Sequence, residues 1–160
     1  MTTSFDALHA SMLPGLPDPE RDRQFYEGVQ PRRLAAWVVD VLLVLAVGVP
    51  LAVMFGLVTL GFGFALFPIL VMGVGFVYRT LTIASGSATW GMRLMGIELR
   101  RHDGARLDLA TAFLHTAIYT VAVCVVVLQM LSIVGMLATR YGQGLPDIIL
   151  RTAMINRPAD

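Results

Sequence analysis

The 160-residue sequence contains one cysteine, no lysine and few charges, 14% in all. A lone cysteine, Cys124, forms no internal disulfide and no zinc site by itself, and its place in an apolar run predicts a small buried residue. The charge content is well below the ~25% of a soluble domain, while 56% of residues are hydrophobic and the mean hydropathy is +0.72. A net charge of +1 leaves no footprint for nucleic acid. The twelve basic side chains are all arginine, and no function is drawn from that. No nucleophile stands beside a base, no ligand set has metal spacing, and there is no cofactor motif. A non-enzymatic integral membrane protein is expected, without cofactor or metal, with the lipid bilayer as its first partner.

Residues 1–31 are polar and proline-rich, with neither the basic start nor the apolar core of a secretory signal. They read as a flexible tail, in which Phe5, Leu8, Met12 and Leu13 line one side of a short helix stopped by Pro14, Pro17 and Pro19. Residues 32–156 form the transmembrane domain, and 157–160 a short tail.

From Leu34 to Tyr78 the only charged side chain is Asp40. About 20 residues cross a bilayer, so this run is two spans, roughly Leu34–Phe55 and Phe64–Thr82, joined by a turn at Gly56, Gly61 and Gly63. Pro50 and Pro68 fall inside them as sites of kinking. Trp37 suits an interfacial anchor. Gly48, Ala52 and Gly56 share a helix face that admits close approach of another helix, with the second span as its expected partner. Asp40 lies ~10 Å along the helix from Arg33, and a carboxylate there needs compensation.

The turn between the spans carries no arginine, whereas Arg21, Arg23, Arg32 and Arg33 precede the hairpin and Arg79, Arg93, Arg100, Arg101 and Arg106 follow it. Basic loops are retained in the cytoplasm, so the N-terminus and residues 79–108 are placed inside. In that loop Ser87 or Thr89 caps a short helix ended by Gly96. Ile97-Glu98-Leu99-Arg100 alternates as a strand, and Asp103-Gly104 predicts a β-hairpin whose return strand starts at Arg106-Leu107.

The run from Leu109 to Ala138 exceeds one span. One long tilted helix and a broken hairpin with Gln129, Ser132 and Gly135 near the break both fit, and they put the C-terminus on opposite sides. Thr111, His115 and Tyr119 share one face, and His115 enters to about the depth of Asp40. An imidazole facing a carboxylate can bind and pass a proton; a histidine hydrogen-bonded to a carbonyl or threonine is the plainer alternative. Asp147 caps a helix or pairs with an arginine. The fold class is therefore an all-α membrane protein, a helical hairpin plus a third, single or broken, transmembrane segment, with a small cytoplasmic β-hairpin between spans two and three.

Three stretches together resemble the RDD family of small bacterial membrane proteins, named for one arginine and two aspartates. Arg33-Leu-Ala-Ala-Trp-Val-Val-Asp40 opens the first span. Ser87-Ala-Thr-Trp-Gly-Met-Arg-Leu-Met-Gly-Ile-Glu-Leu-Arg100, followed by Asp103-Gly104, is similar to the family's T-x-G-K-x-x-x-G loop and strand-turn. Arg140 to Asp147 with Thr152 resembles its closing elements. The resemblance makes Arg33, Asp40 and Asp147 the naming residues. Met92 stands where a lysine is common, Pro146 where a histidine precedes the aspartate, and Arg151 where a glycine is usual. It implies a multi-pass protein of the bacterial inner membrane and a role in transport, with sodium/proton exchange as one activity.

Two functions compete. In the first, a small transporter exchanges a cation for protons at Asp40, with Arg33 as competing partner, His115 as relay and Asp147 as a further ion-binding candidate; so few helices would need a homo-oligomer to enclose a path. In the second, a structural or assembly partner of a larger membrane complex uses Arg33, Asp40 and Asp147 as a fixed polar clasp.

Overall fold

The computed structural model describes residues 14–158; the short helix expected around Phe5–Leu13 lies outside the described residues. Helix α1 (Val29–Val58) runs on past Pro50. A 3-10 turn (Phe62–Leu66) leads into α2 (Phe67–Gly86). Pro68 sits in the first turn of α2 and not in its interior, where its missing N–H has no helical partner to lose, so it does not kink the span.

Both α1 and α2 are long and apolar enough to cross a membrane, and few residues of their apolar windows are buried. Leu42, Val47, Leu57, Val58, Leu60 and Ile69 all face outward, a surface that requires lipid. Gly48, Ala52 and Gly56 are buried. A Cβ on Gly48 would come 3.4 Å from Val71, and one on Gly56 would stand 2.6 Å from the Phe64 ring. The small-residue face therefore receives the second span and its entry turn, as expected. Gly75 approaches Val44, whereas Gly73 faces open space.

The end of the bundle where α1 begins carries the packed core. Helix α3 (Trp90–Leu94) starts at Thr89, whose hydroxyl accepts from the Met92 N–H at 3.2 Å. Gly96, at φ 67°, releases the chain into strand β1 (Ile97–Arg101). The Asp103-Gly104 turn forms, with Gly104 N–H donating to the Arg101 carbonyl at 2.9 Å. The predicted return strand does not. Leu107 N–H donates to Ser87 Oγ at 2.6 Å, and Asp108 caps the next helix by accepting from Thr111 N–H at 2.7 Å, so the backbone is committed elsewhere. The partner of β1 is β2 (Thr152–Asn156), antiparallel, with Leu99 opposite Met154. Val29, Ala36, Ile83, Met92, Ile97, Leu99, Leu107, Ala112 and Met154 form one buried cluster beneath the spans.

Helix α4 (Leu109–Cys124) and helix α5 (Val126–Ala138) are bent by 117° at Val125. The segment is thus broken and not one continuous helix, but the break falls at Val125, ahead of the expected Gln129, Ser132 and Gly135, which lie within α5. Helix α6 (Leu145–Leu150) follows, and β2 returns to the end of the molecule where α1 begins. Cys124 is exposed at the break, 3.6 Å from the Met72 sulfur, and not the buried residue expected from its apolar surroundings.

Candidate functional site

Two buried aspartates hold the bundle together, through different partners. Asp40, on α1, is buried. Its Oδ1 accepts from the Tyr78 hydroxyl at 2.7 Å and the Gly91 N–H at 2.9 Å, and its Oδ2 from the Thr89 hydroxyl at 2.6 Å. Tyr78 is held in turn by the Trp90 N–H at 3.1 Å. Arg79 Nη1 lies 3.8 Å from Oδ2, an ion pair beyond hydrogen-bonding range. One carboxylate therefore joins α1, α2 and the start of α3. Gly91 is required by close approach, since a Cβ there would stand 2.3 Å from the Ala36 carbonyl oxygen and 2.7 Å from Asp40 Oδ1.

Asp147, on α6, is fully buried. Arg33 Nη2 donates to its Oδ2 at 2.7 Å while Arg33 Nη1 donates to the Gly142 carbonyl at 2.9 Å. His115 Nε2 meets Oδ1 at 2.9 Å, and the Thr152 hydroxyl reaches the same oxygen at 3.1 Å. The Gly144 N–H donates to Oδ2 at 3.1 Å, so the expected helix-capping role holds alongside the arginine pair. Burial acts to raise the Asp147 pKa, but the Arg33 charge and the His115 contact outweigh it and hold the carboxyl below its usual range.

Of the four residues singled out in the sequence, the fold brings Arg33, His115 and Asp147 together and leaves Asp40 in its own cluster. His115 faces Asp147 and not Asp40. Helical depth alone made the two look like neighbours; the direction of the His115 side chain, set by how α4 packs on α6, decided otherwise. Arg79, and not Arg33, is the cation beside Asp40. Tyr78 and Gly91 were not anticipated as donors to Asp40, although Tyr78 closes the charge-free run and Gly91 follows the loop's threonine by two positions.

The two clusters meet around cavities. One, of about 470 Å³, is bordered by Arg33, Asp40, Arg79, His115, Gln129 and Ser132. A second, of about 450 Å³, has aliphatic walls including Val41, Val44, Leu45, Val71 and Val123. Trp37, Asp40, Arg79 and Tyr119 border both. Trp37 Nε1–H donates to the Tyr119 hydroxyl at 2.9 Å, and the Arg79 guanidinium lies 4.0 Å over the Tyr119 ring. Trp37 is thus tied to a neighbouring helix at the level of the aspartate. Among the described residues, no group of three or more His, Cys, Asp or Glu could hold a metal ion.

Apolar helices with lipid-facing surfaces, closed at one end by two carboxylate-centred clusters, define a small helical integral membrane protein. The RDD family model matches residues 30–151, and the chain belongs to the RDD family. No curated protein and no solved structure matches it.

Proposed function

We propose that this chain is a non-catalytic structural protein of the bacterial inner membrane, an assembly partner of a larger complex or of further copies of itself. Its arginines and aspartates act as fixed clasps and not as an exchange site. The observation that supports this reading is how Asp40 is held: its oxygens accept from Tyr78, Thr89 and Gly91, donors on α2 and at the start of α3. A cation or proton using that carboxylate would compete with donors that also hold α1 to α2 and α3. The positive-inside pattern supports a cytoplasmic N-terminus, and with β2 paired to β1 the C-terminal segment would lie on that same side.

The transport reading has one observation in its favour, the cavity that brings Asp40, Arg79 and His115 to one mainly apolar wall. Energised inverted vesicles separate the two. With matched amounts of wild type and Asp40→Asn, the internal pH is followed as sodium, potassium or lithium is added. The clasp predicts that both behave as empty vesicles and that Asp40→Asn lowers the melting temperature of the purified protein. A cation-dependent pH collapse with wild type alone would overturn it in favour of exchange.

A further inference from the structure

Arg79 is buried in the wall shared by the two cavities. A guanidinium carries five N–H donors, yet none donates a hydrogen bond among the described residues. Its Nε is buried without a partner, and its nearest carboxylate oxygen, Asp40 Oδ2, stands 3.8 Å from Nη1, beyond hydrogen-bonding range. The Tyr119 ring covers one face of the ion but accepts none of its in-plane N–H groups. Leaving buried donors of a charged group unpaired is costly. The other charges of the two clusters are hydrogen-bonded, Arg33 by Asp147 and Gly142, Asp40 by three donors and Asp147 by four, while His115 Nδ1 is also buried without a partner.

We infer that Arg79 receives the phosphate of an anionic phospholipid whose acyl chain lies in the aliphatic cavity. Three features select this occupant. A phosphate diester offers the paired oxygens that suit a guanidinium fork. The aliphatic cavity adjoins the Arg79 guanidinium directly, so one amphiphile serves both, whereas a free anion would leave the cavity of about 450 Å³ bare. The depth also fits. From Val58, exposed at the far end of α1, back to Asp40 is ~27 Å of helix, close to the ~30 Å hydrocarbon thickness. Asp40 stands ~4.5 Å of helix beyond Trp37, which suits an interfacial anchor, so the Asp40–Arg79 level lies just inside the headgroup boundary and within reach of a lipid phosphate. Arg79 and Asp40 together are close to neutral, so the phosphate is drawn by the adjacent guanidinium and not by a net charge; an anionic headgroup has no cation of its own to compete for that phosphate, whereas a zwitterionic one has. This inference does not depend on whether the clasp or the exchange reading is correct.

The test uses the purified full-length chain in a neutral detergent. Its melting temperature is followed while phosphatidylglycerol, phosphatidylcholine or inorganic phosphate is added, and retained lipid is read by native mass spectrometry. Saturable stabilisation by phosphatidylglycerol is expected, with little from the other two. Arg79→Gln should raise the half-saturating lipid concentration by about tenfold or more, as loss of a charge-assisted hydrogen bond would, and Arg79→Lys should recover part of it. Leu45→Trp, which fills the aliphatic cavity from a lipid-facing position and leaves Arg79 in place, should weaken lipid binding in a protein that remains folded. Equal stabilisation by phosphatidylcholine or by phosphate alone would overturn the proposal. So would unchanged phosphatidylglycerol binding in Leu45→Trp.

Discussion

Asp147 shows how a single side chain in this protein does its work. It accepts from Arg33, His115, Gly144 and Thr152, so one carboxylate links the first helix, the fourth helix and the last strand. Removing its charge leaves Arg33 buried and unpaired, which typically costs about 3–5 kcal/mol. Asp147→Asn is expected to lower the melting temperature sharply and to reduce the amount of protein found in membranes. The pH dependence has a definite sign. The folded-state pKa of Asp147 lies below its ordinary value of 3.8, so the contribution is fully present above the ordinary carboxylate range and is lost as the pH falls through the lower, folded value. Thermal melts of wild type should lose stability as the pH is taken down through and below the ordinary value, and Asp147→Asn should lack that component.

Among the elements, the short helix α3 shows how a loop becomes part of the site. Thr89 serves both as helix cap and as donor to Asp40, and Gly91 brings the backbone against α1. The loop is thereby pinned to the carboxylate. Gly91→Ala would place a Cβ where the Ala36 carbonyl stands, and overpacking of this kind costs about 1–3 kcal/mol or more. The expected result is a lower melting temperature for Gly91→Ala, together with faster hydrogen exchange at the Gly91 and Met92 amides as α3 lifts from Asp40. Glycines facing open space give the control: Gly73→Ala should be nearly silent in both measurements. At the end of α2, Arg93 donates to the Thr82 and Ala88 carbonyls at 3.2 Å each, so a cation again closes a helix C-terminus.

At the scale of the whole molecule, the bend of 117° between α4 and α5 governs the topology. A straight third span would carry the C-terminus to the far side, whereas the bend lets Asp147 reach Arg33 and β2 pair with β1. Thiol labelling checks this in a Cys124→Ala background. A cysteine at Leu60, highly exposed between α1 and α2, should react with a membrane-impermeant reagent in intact cells. One added after Asp160 should react only once the membrane is opened. Labelling of both from outside would contradict the shared end.

Much of this was open to inspection in the residues themselves. A run from Leu34 to Tyr78 with Asp40 as its only charge determined two apolar helices, because burying ionised groups in lipid is costly over any such length. The glycine and alanine spacing on α1 determined a close helix contact, because helical period is a local property. Thr89 and Gly96 marked the limits of α3 for the same reason, since caps act within one turn. What only the tertiary structure decided is which distant groups meet. Arg33 and Asp147 are 114 positions apart, and β1 and β2 are joined through three intervening helices, α4, α5 and α6. The Asp103-Gly104 turn announced a local hairpin, but the ladder of β1 went to the C-terminal strand because Leu107 and Asp108 were engaged by Ser87 and Thr111. His115 joined Asp147 and not Asp40 by the direction in which α4 packs. Side-chain periodicity sets a residue's face and depth, and only the packing of whole helices sets what stands opposite.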